Sequence, residues 1–210
     1  MSEDMKEKSS LDVPGGEKRV LLHTCCAPCS SAIVEYLMKN GVIPVIYYCN
    51  PNIYPEKEYL VRKDECTRYA LSLGLEIVDD DYDHSAWLDR MRGLEDEPER
   101  GSRCLECFRM RLERTAGYAH GHGIRVITTT LASSRWKSLE QINMAGRYAA
   151  SLYPDVVWWD RNWRKGGLQE RRSQIIREYG FYNQQYCGCE FSMRRDPDTQ
   201  DKCGAPGQNL

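Results

Sequence analysis

Five short apolar runs punctuate this chain, and the stretches between them carry apolar residues at helical spacing. The runs are RVLLHT (19–24), VIPVIYY (42–48), LEIV (75–78), RVITTT (125–130) and VVWW (156–159). Helices are expected over Ser30–Asn40, Glu56–Leu73, a weaker Ser85–Leu94, from near Cys104 to the glycines of HGHG, over Ser138–Leu152 and over Leu168–Tyr179. Gly74 is expected to cap the second of them. Repeated β–α units of this kind predict an α/β fold, a mostly parallel sheet with helices on both faces. Right-handed crossovers then bring the C-terminal ends of the strands to one common edge, where open α/β sheets bind ligands. A single catalytic domain is expected over residues 19–193. Residues 1–18 and 194–210 are polar and turn-rich and read as disordered tails.

A chain of 210 residues with 41% hydrophobic and 29% charged residues has enough apolar matter for one ordinary core. No apolar run approaches the roughly 20 residues that cross a bilayer, and the N-terminal MSEDMKEKSSLDVPGGEKR has no apolar signal segment. The expectation is a cytoplasmic protein without membrane partners. A net charge of −2 leaves room for a local basic face.

Ten cysteines are the anomaly. Cys49 and Cys66 fit buried structural positions, and Cys203 lies in the C-terminal tail as a bystander. The other seven form three clusters: Cys25, Cys26 and Cys29 in HTCCAPCSS, Cys104 and Cys107 in CLECF, and Cys187 and Cys189 in YCGCEFS. In a reducing compartment such thiols are metal ligands or a redox couple rather than staples. The first cluster follows the first strand, at the ligand-binding edge; Ala27 and Pro28 predict a tight turn into a helix whose N-terminus favours thiolate, with Ser30 as its N-cap. The spacing of Cys104 and Cys107 lets both reach one metal or cluster, though a redox couple or half a zinc site shares it. Gly188 permits Cys187 and Cys189 to meet, and a disulfide across so short a loop is labile and redox-active. Seven clustered thiols, two of them adjacent, suit an iron–sulfur cluster better than a tetrahedral zinc. Tetrahedral sulfur alone does not separate the two metals.

Around the same edge, Asn50, Asn52 and Tyr59 follow the second strand, with Glu58 and Arg62 at helical spacing. Thr128, Thr129, Thr130, Ser133, Ser134 and Lys137 follow the fourth, and suit a polar or anionic substrate. Arg161, Arg164, Lys165, Arg171 and Arg172, beside Trp158, Trp159 and Trp163, offer cations for phosphates and rings for bases. Arg103, Arg109, Arg111 and Arg114 add positive charge near the second cysteine pair. His23 reads as a buried strand residue or a support to the site; no histidine is expected to bind metal.

The motifs HTCCAPCS, NPNIYPEKEY, CLECFRMRL, TTTLASS, RKGGLQERR and YCGCEFS, in this order over residues 20–193, together resemble the QueH-type epoxyqueuosine reductases. The resemblance implies a Rossmann-like fold of the adenine-nucleotide α-hydrolase (PP-loop related) group. It implies the reduction of epoxyqueuosine, at the tRNA wobble position, to queuosine, with epoxyqueuosine-containing tRNA and an unidentified electron donor as partners. It also implies a 4Fe–4S cluster on Cys25, Cys26, Cys104 and Cys107, and a redox-active pair, Cys187 and Cys189. Cys29 stands where some members carry Asp and is a candidate ligand for an additional iron ion. Candidates for substrate contact are Asn50, Asn52, Tyr59, Lys137, Arg164 and Lys165, and for proton donation Tyr182, Tyr186 and Lys137. Cysteines occupy the place of a nucleotide-binding loop, which argues against ATP use and against a thiolation enzyme. The other class of function open to these residues is a zinc-stabilised RNA-binding module without redox chemistry.

Overall fold

The computed structural model describes residues 11–193. Five parallel strands form one sheet in the order β3-β2-β1-β4-β5: β1 (Arg19–His23), β2 (Ile43–Tyr48), β3 (Ile77–Asp79), β4 (Val126–Thr129) and β5 (Val157–Trp158). Six helices connect or follow them: α1 (Ala27–Lys39), α2 (Glu56–Ser72), α3 (His84–Met91), α4 (Ser102–Gly121), α5 (Leu139–Ser151) and α6 (Leu168–Tyr179). The α/β class and the parallel sheet are those expected from the apolar runs.

β1 lies at the centre, paired Leu21 to Val45 on one side and Leu21 to Ile127 on the other. A strand sandwiched this way is buried on both faces, which is why it reads as a continuous apolar run. Val20, Leu21 and Leu22 are fully buried, each stabilising the fold by about 1.5–3 kcal/mol. From β1 the chain steps outward through α1 and α2 to β3, then recrosses to β4 and steps to β5. Right-handed crossovers therefore put α1 and α2 on one face and α4 and α5 on the other. The packing agrees: α6 joins α1 on its face, and α4 lies against α5. The direction of winding reverses between β1 and β4, so the crevice at their C-terminal ends is the place for a ligand.

Local signals account for most boundaries. Gly74 has φ +67° just past α2, as its capping role requires. Ser138 accepts the Gln141 amide and starts α5. β3 begins two residues later than expected, because Leu75 is taken into the core before pairing starts. Residues 11–18, read as tail, instead lie on the domain: Val13 is buried in the core and Pro14–Gly16 form a short 3-10 turn. The rest of the expected tails, with Cys203, lies outside the described residues. No helix among the described residues is long and apolar enough to cross a membrane.

α5 meets β5 through a missing side chain. A Cβ on Gly146 would stand 2.3 Å from ring atoms of Trp158. Gly146→Ala is expected to destabilise the protein by about 1–3 kcal/mol through overpacking, outweighing the ~1 kcal/mol of helix propensity that alanine gains. Urea unfolding followed by circular dichroism measures the change.

Candidate active site

The crevice between β1 and β4 is lined by sulfur. Cys26 is the N-cap of α1, with Pro28 in the first turn, and the sulfur atoms of Cys25, Cys26 and Cys29 lie within 4.8 Å of one another. Ser30, expected as the cap, instead sits inside the helix, where Oγ donates to the carbonyls of Cys26 (3.1 Å) and Ala27 (3.2 Å). Proline's fixed φ and missing N–H start the helix earlier than the serine would. From the end of β4, Thr130 Oγ1 accepts the Cys25 amide at 3.3 Å and lies 3.5 Å from Cys25 Sγ. Gln184 Nε2 donates to Cys26 Sγ at 3.1 Å.

These three thiols share charge unequally. Hydrogen bonds from Cys26 and Cys29 hold Cys25 well below the usual thiol range, against its burial and with help from Arg111. Burial pushes Cys26 well above that range, and the bond to Cys25 raises Cys29 to about 12. Within the metal-free trio negative charge therefore favours Cys25 over Cys26 and Cys29.

The remaining four thiols form a second group. Cys104 and Cys107 sit in the first turns of α4. Cys107 and Cys189 pack together with Trp87 and Met91, and Phe191 lies alongside. Burial raises the thiols of Cys104 and Cys107, and the charge of nearby Cys187 adds to both. Cys189 is raised to about 11, first by burial and then by Cys187. Cys187 itself is exposed. Between the two cysteines Gly188 has φ +125°, and a Cβ there would stand 3.0 Å from Ile53 Cγ1. Only glycine fits this bend.

Three cations join the groups. Arg111, one turn beyond Cys107, is only 2% exposed; Nε donates to the Cys49 carbonyl at 3.2 Å and Nη2 to Asn50 Oδ1. Burial opposes its charge, but Cys107, Cys25 and Cys187 together hold it protonated. Lys137 Nζ lies 3.2 Å from Cys187 Sγ. Burial alone would lower its pKa, yet Cys187, Cys25 and Cys29 keep it above the ordinary lysine value. Arg62 pairs with Glu58 and reaches the carbonyls of Cys187 (3.3 Å) and Tyr186 (3.4 Å). The structure thus brings Cys25 and Cys26 together with Cys29 and packs Cys107 beside Cys189, with Arg111 and Lys137 near both groups. Among the described residues no metal-sized set joins Cys104 or Cys107 to Cys25 and Cys26. An all-thiol donor set suits iron–sulfur or zinc, and the surrounding positive charge suits an anionic metal–thiolate centre.

The other candidates divide. Asn50 Nδ2 donates to the Thr24 carbonyl at 2.9 Å, and Tyr59 donates to Asp79 at 2.8 Å; both are buried as supports of the loop. Asn52 is buried beside Gly188. Arg164 donates to the Lys137 carbonyl at 2.8 Å, and Lys165 is exposed. Arg161 sits over Tyr36, Trp159 and Trp163. Arg171 pairs with Glu35 and Glu178, and Arg172 donates to the Pro28 carbonyl. These three cations are occupied within the fold. Tyr182 and Tyr186 bond to Glu58 and the Tyr54 carbonyl, so of the three proton-donor candidates Lys137 alone touches a cysteine among the described contacts. His23 is lowered to about 3, chiefly by burial, and stands between Thr129 (2.7 Å) and the Cys49 carbonyl (3.0 Å). It is a neutral strut. Gln184, Arg100 and Trp87 also belong to the site, and of these only Trp87 has a signal in the sequence, its four-residue spacing from Met91.

The family model described as "Epoxyqueuosine reductase QueH" matches residues 20–195. The chain is 50% identical over 187 residues to an epoxyqueuosine reductase QueH of Histophilus somni, covering 89% of this chain and 77% of that protein. It is 47% identical to proteins of the same name from Haemophilus influenzae (94% of this chain, 80% of that one) and Acinetobacter baylyi (90% and 87%).

Lys137→Met removes the cation beside Cys187. Labelling of Cys187 by iodoacetamide, read by peptide mass spectrometry on the metal-free protein, is expected to slow roughly three- to tenfold.

Proposed function

This chain belongs to the epoxyqueuosine reductase QueH family, and on that premise we propose that it removes the epoxide oxygen of epoxyqueuosine in tRNA to leave queuosine. The observation that carries the proposal is the trio Cys25, Cys26 and Cys29 at the winding reversal of a parallel sheet, with Cys107 packed beside Cys189 and three buried or half-buried cations, Arg62, Arg111 and Lys137, near these sulfurs.

The reaction needs two electrons and two protons: both C–O bonds of the epoxide break, a C=C bond forms, and the oxygen leaves as water. The thiols of Cys187 and Cys189 supply both as their S–H bonds give way to one S–S bond. A reductant outside this chain then reopens the disulfide. Cys187 is exposed and can meet the substrate, while Cys189 lies behind it against Trp87. Lys137, 3.2 Å from Cys187 Sγ, is placed to hydrogen-bond that sulfur and to relay a proton to the departing oxygen.

In this proposal Cys25, Cys26, Cys104 and Cys107 hold a 4Fe–4S cluster, and Cys29 is available to an additional iron ion. Such a centre supplies Lewis acidity or electron transfer when bound. The chain's own part is to hold the ligand thiols: Thr130 and Gln184 orient Cys25 and Cys26, the Arg100 amide orients Cys104, and Arg111 offsets the charge between them.

Protein purified and reconstituted without oxygen is expected to be brown, to contain iron and sulfide, and to convert epoxyqueuosine-containing tRNA by mass analysis. Cys104→Ala should lose colour and activity together; Cys187→Ala should keep the colour and lose turnover by at least about 100-fold. Zinc without iron or sulfide would favour the RNA-binding module instead, and full activity of both variants would refute the assigned roles.

A further inference from the structure

Beside the sulfur crevice lies a feature that the chemistry above does not use. The segment between the end of β4 and α5 presents Trp136 outward, its side chain 66% exposed and the most exposed large apolar residue among those described. Its neighbour in the chain is Lys137, whose amine touches Cys187, so the indole is anchored one backbone step, about 3.8 Å, from a residue of the site. Arg135 lies over the ring, with Cζ 4.8 Å from its centre. Arg100 reaches across from the loop before α4 to donate Nε to the Trp136 carbonyl at 2.9 Å. Arg164 fixes the next carbonyl, that of Lys137, at 2.8 Å.

Arg100 carries a second, independent mark. Its φ is +68°, the left-handed region, and it is the one non-glycine residue there among those described. Such a conformation costs of order 1 kcal/mol and persists where surroundings fix it. Here the Arg100 amide donates to Cys104 Sγ, its carbonyl accepts from Gln141, and its side chain holds the tryptophan loop. A glycine would remove the strain but also the cation. Among the described residues its terminal guanidinium nitrogens make no hydrogen bond, and the side chain is exposed beside the Trp136 backbone.

We propose that Trp136, flanked by Arg100 and Arg135, is the platform on which a base of the single-stranded RNA loop stacks beside the base being reduced. The inference rests on the RNA-substrate reading given above and adds the residues that grip the loop. Stacking on an exposed indole is indifferent to base identity, and a guanidinium beside it meets the phosphate of the same nucleotide. An apolar protein contact would not call for one cation over the ring and a second on its backbone; an RNA loop does. Of the cations expected to bind phosphate, Arg161, Arg171 and Arg172 are engaged within the fold and Arg164 holds the Lys137 carbonyl, while Lys165 is exposed, as are Arg100 and Arg135.

The test uses the full chain and a synthetic anticodon stem-loop RNA. Trp136→Ala is expected to weaken binding about tenfold or more, within the loss measured for one base–aromatic stack, and Trp136→Phe to restore most of it. The quenching of tryptophan fluorescence by the RNA should shrink in Trp136→Phe. Arg100→Gln should lower the slope of log affinity against log salt by about 0.7, the value for one single-strand phosphate contact. Leu71→Ala, exposed at the C-terminal end of α2, serves as the control and should bind as the parent does. Unchanged RNA affinity in Trp136→Ala would overturn the inference. Unchanged affinity with slower turnover under a protein reductant would overturn it in favour of a protein-docking patch. A parent protein that neither binds the stem-loop nor reduces the tRNA base would sink the reading beneath it, which the variants alone cannot do.

Discussion

A guanidinium with almost no access to water must be matched by negative charge and by hydrogen-bond acceptors, and Arg111 sets that requirement at the centre of this fold. Its acceptors are the Cys49 carbonyl and the Asn50 side chain, which tie α4 to the loop after β2. The sulfurs that favour its charge are Cys107 and Cys25, then Cys49 and Cys187, and of these the Cys25 thiol is held well below its usual range. Removing one partner of a buried ion pair costs about 3–5 kcal/mol because the other is left stranded. The thiols at the winding reversal and the arginine beneath them therefore depend on each other. Lys137 and Arg62 repeat the arrangement at the rim, one on the Cys187 sulfur and one on its carbonyl. A crevice so furnished favours anionic sulfur at Cys25, while burial raises Cys26, Cys104, Cys107 and Cys189, so a full set of thiolate ligands there would need a bound metal to displace their protons.

The fold was largely legible because its central strand is buried on both faces and so appears as an unbroken apolar run. Boundaries were less so. The Ser30 cap failed because the residues before it, Ala27 and Pro28, already satisfy the needs of a first helical turn. The segment around Val13 was read as tail since one buried valine among polar neighbours has no period to detect.

The site was legible in its residue types and only partly in its partners. Cys25, Cys26 and Cys29 meet because a helix start brings near neighbours together. That Cys107 packs with Cys189 depends on how the loop after α6 returns across the molecule, which spacing along the chain does not encode. The same holds for charge. Arg111 and Arg171 look alike in the sequence, yet one is buried against sulfur and the other is paired with Glu35 of α1 and Glu178 of its own helix. Arg100 had no signal at all, since its importance lies in a backbone angle.

The two cysteines flanking Gly188 differ in a way that gives the proposed chemistry a direction. Cys189 is buried and its thiol is raised to about 11, so it keeps its proton until charge is drawn away from its neighbour. Cys187 is exposed, with the Lys137 ammonium at 3.2 Å, so it is the sulfur that substrate and reductant can reach. Electron density therefore leaves from the outer sulfur, and the inner one closes the disulfide as it gives up its proton. The bend that makes this possible leaves no room for a Cβ: Ile53, Arg62 and Asn52 crowd the position. The NPNIYPEKEY segment thus serves less as a substrate surface than as the mould that holds the dithiol in its asymmetric pose.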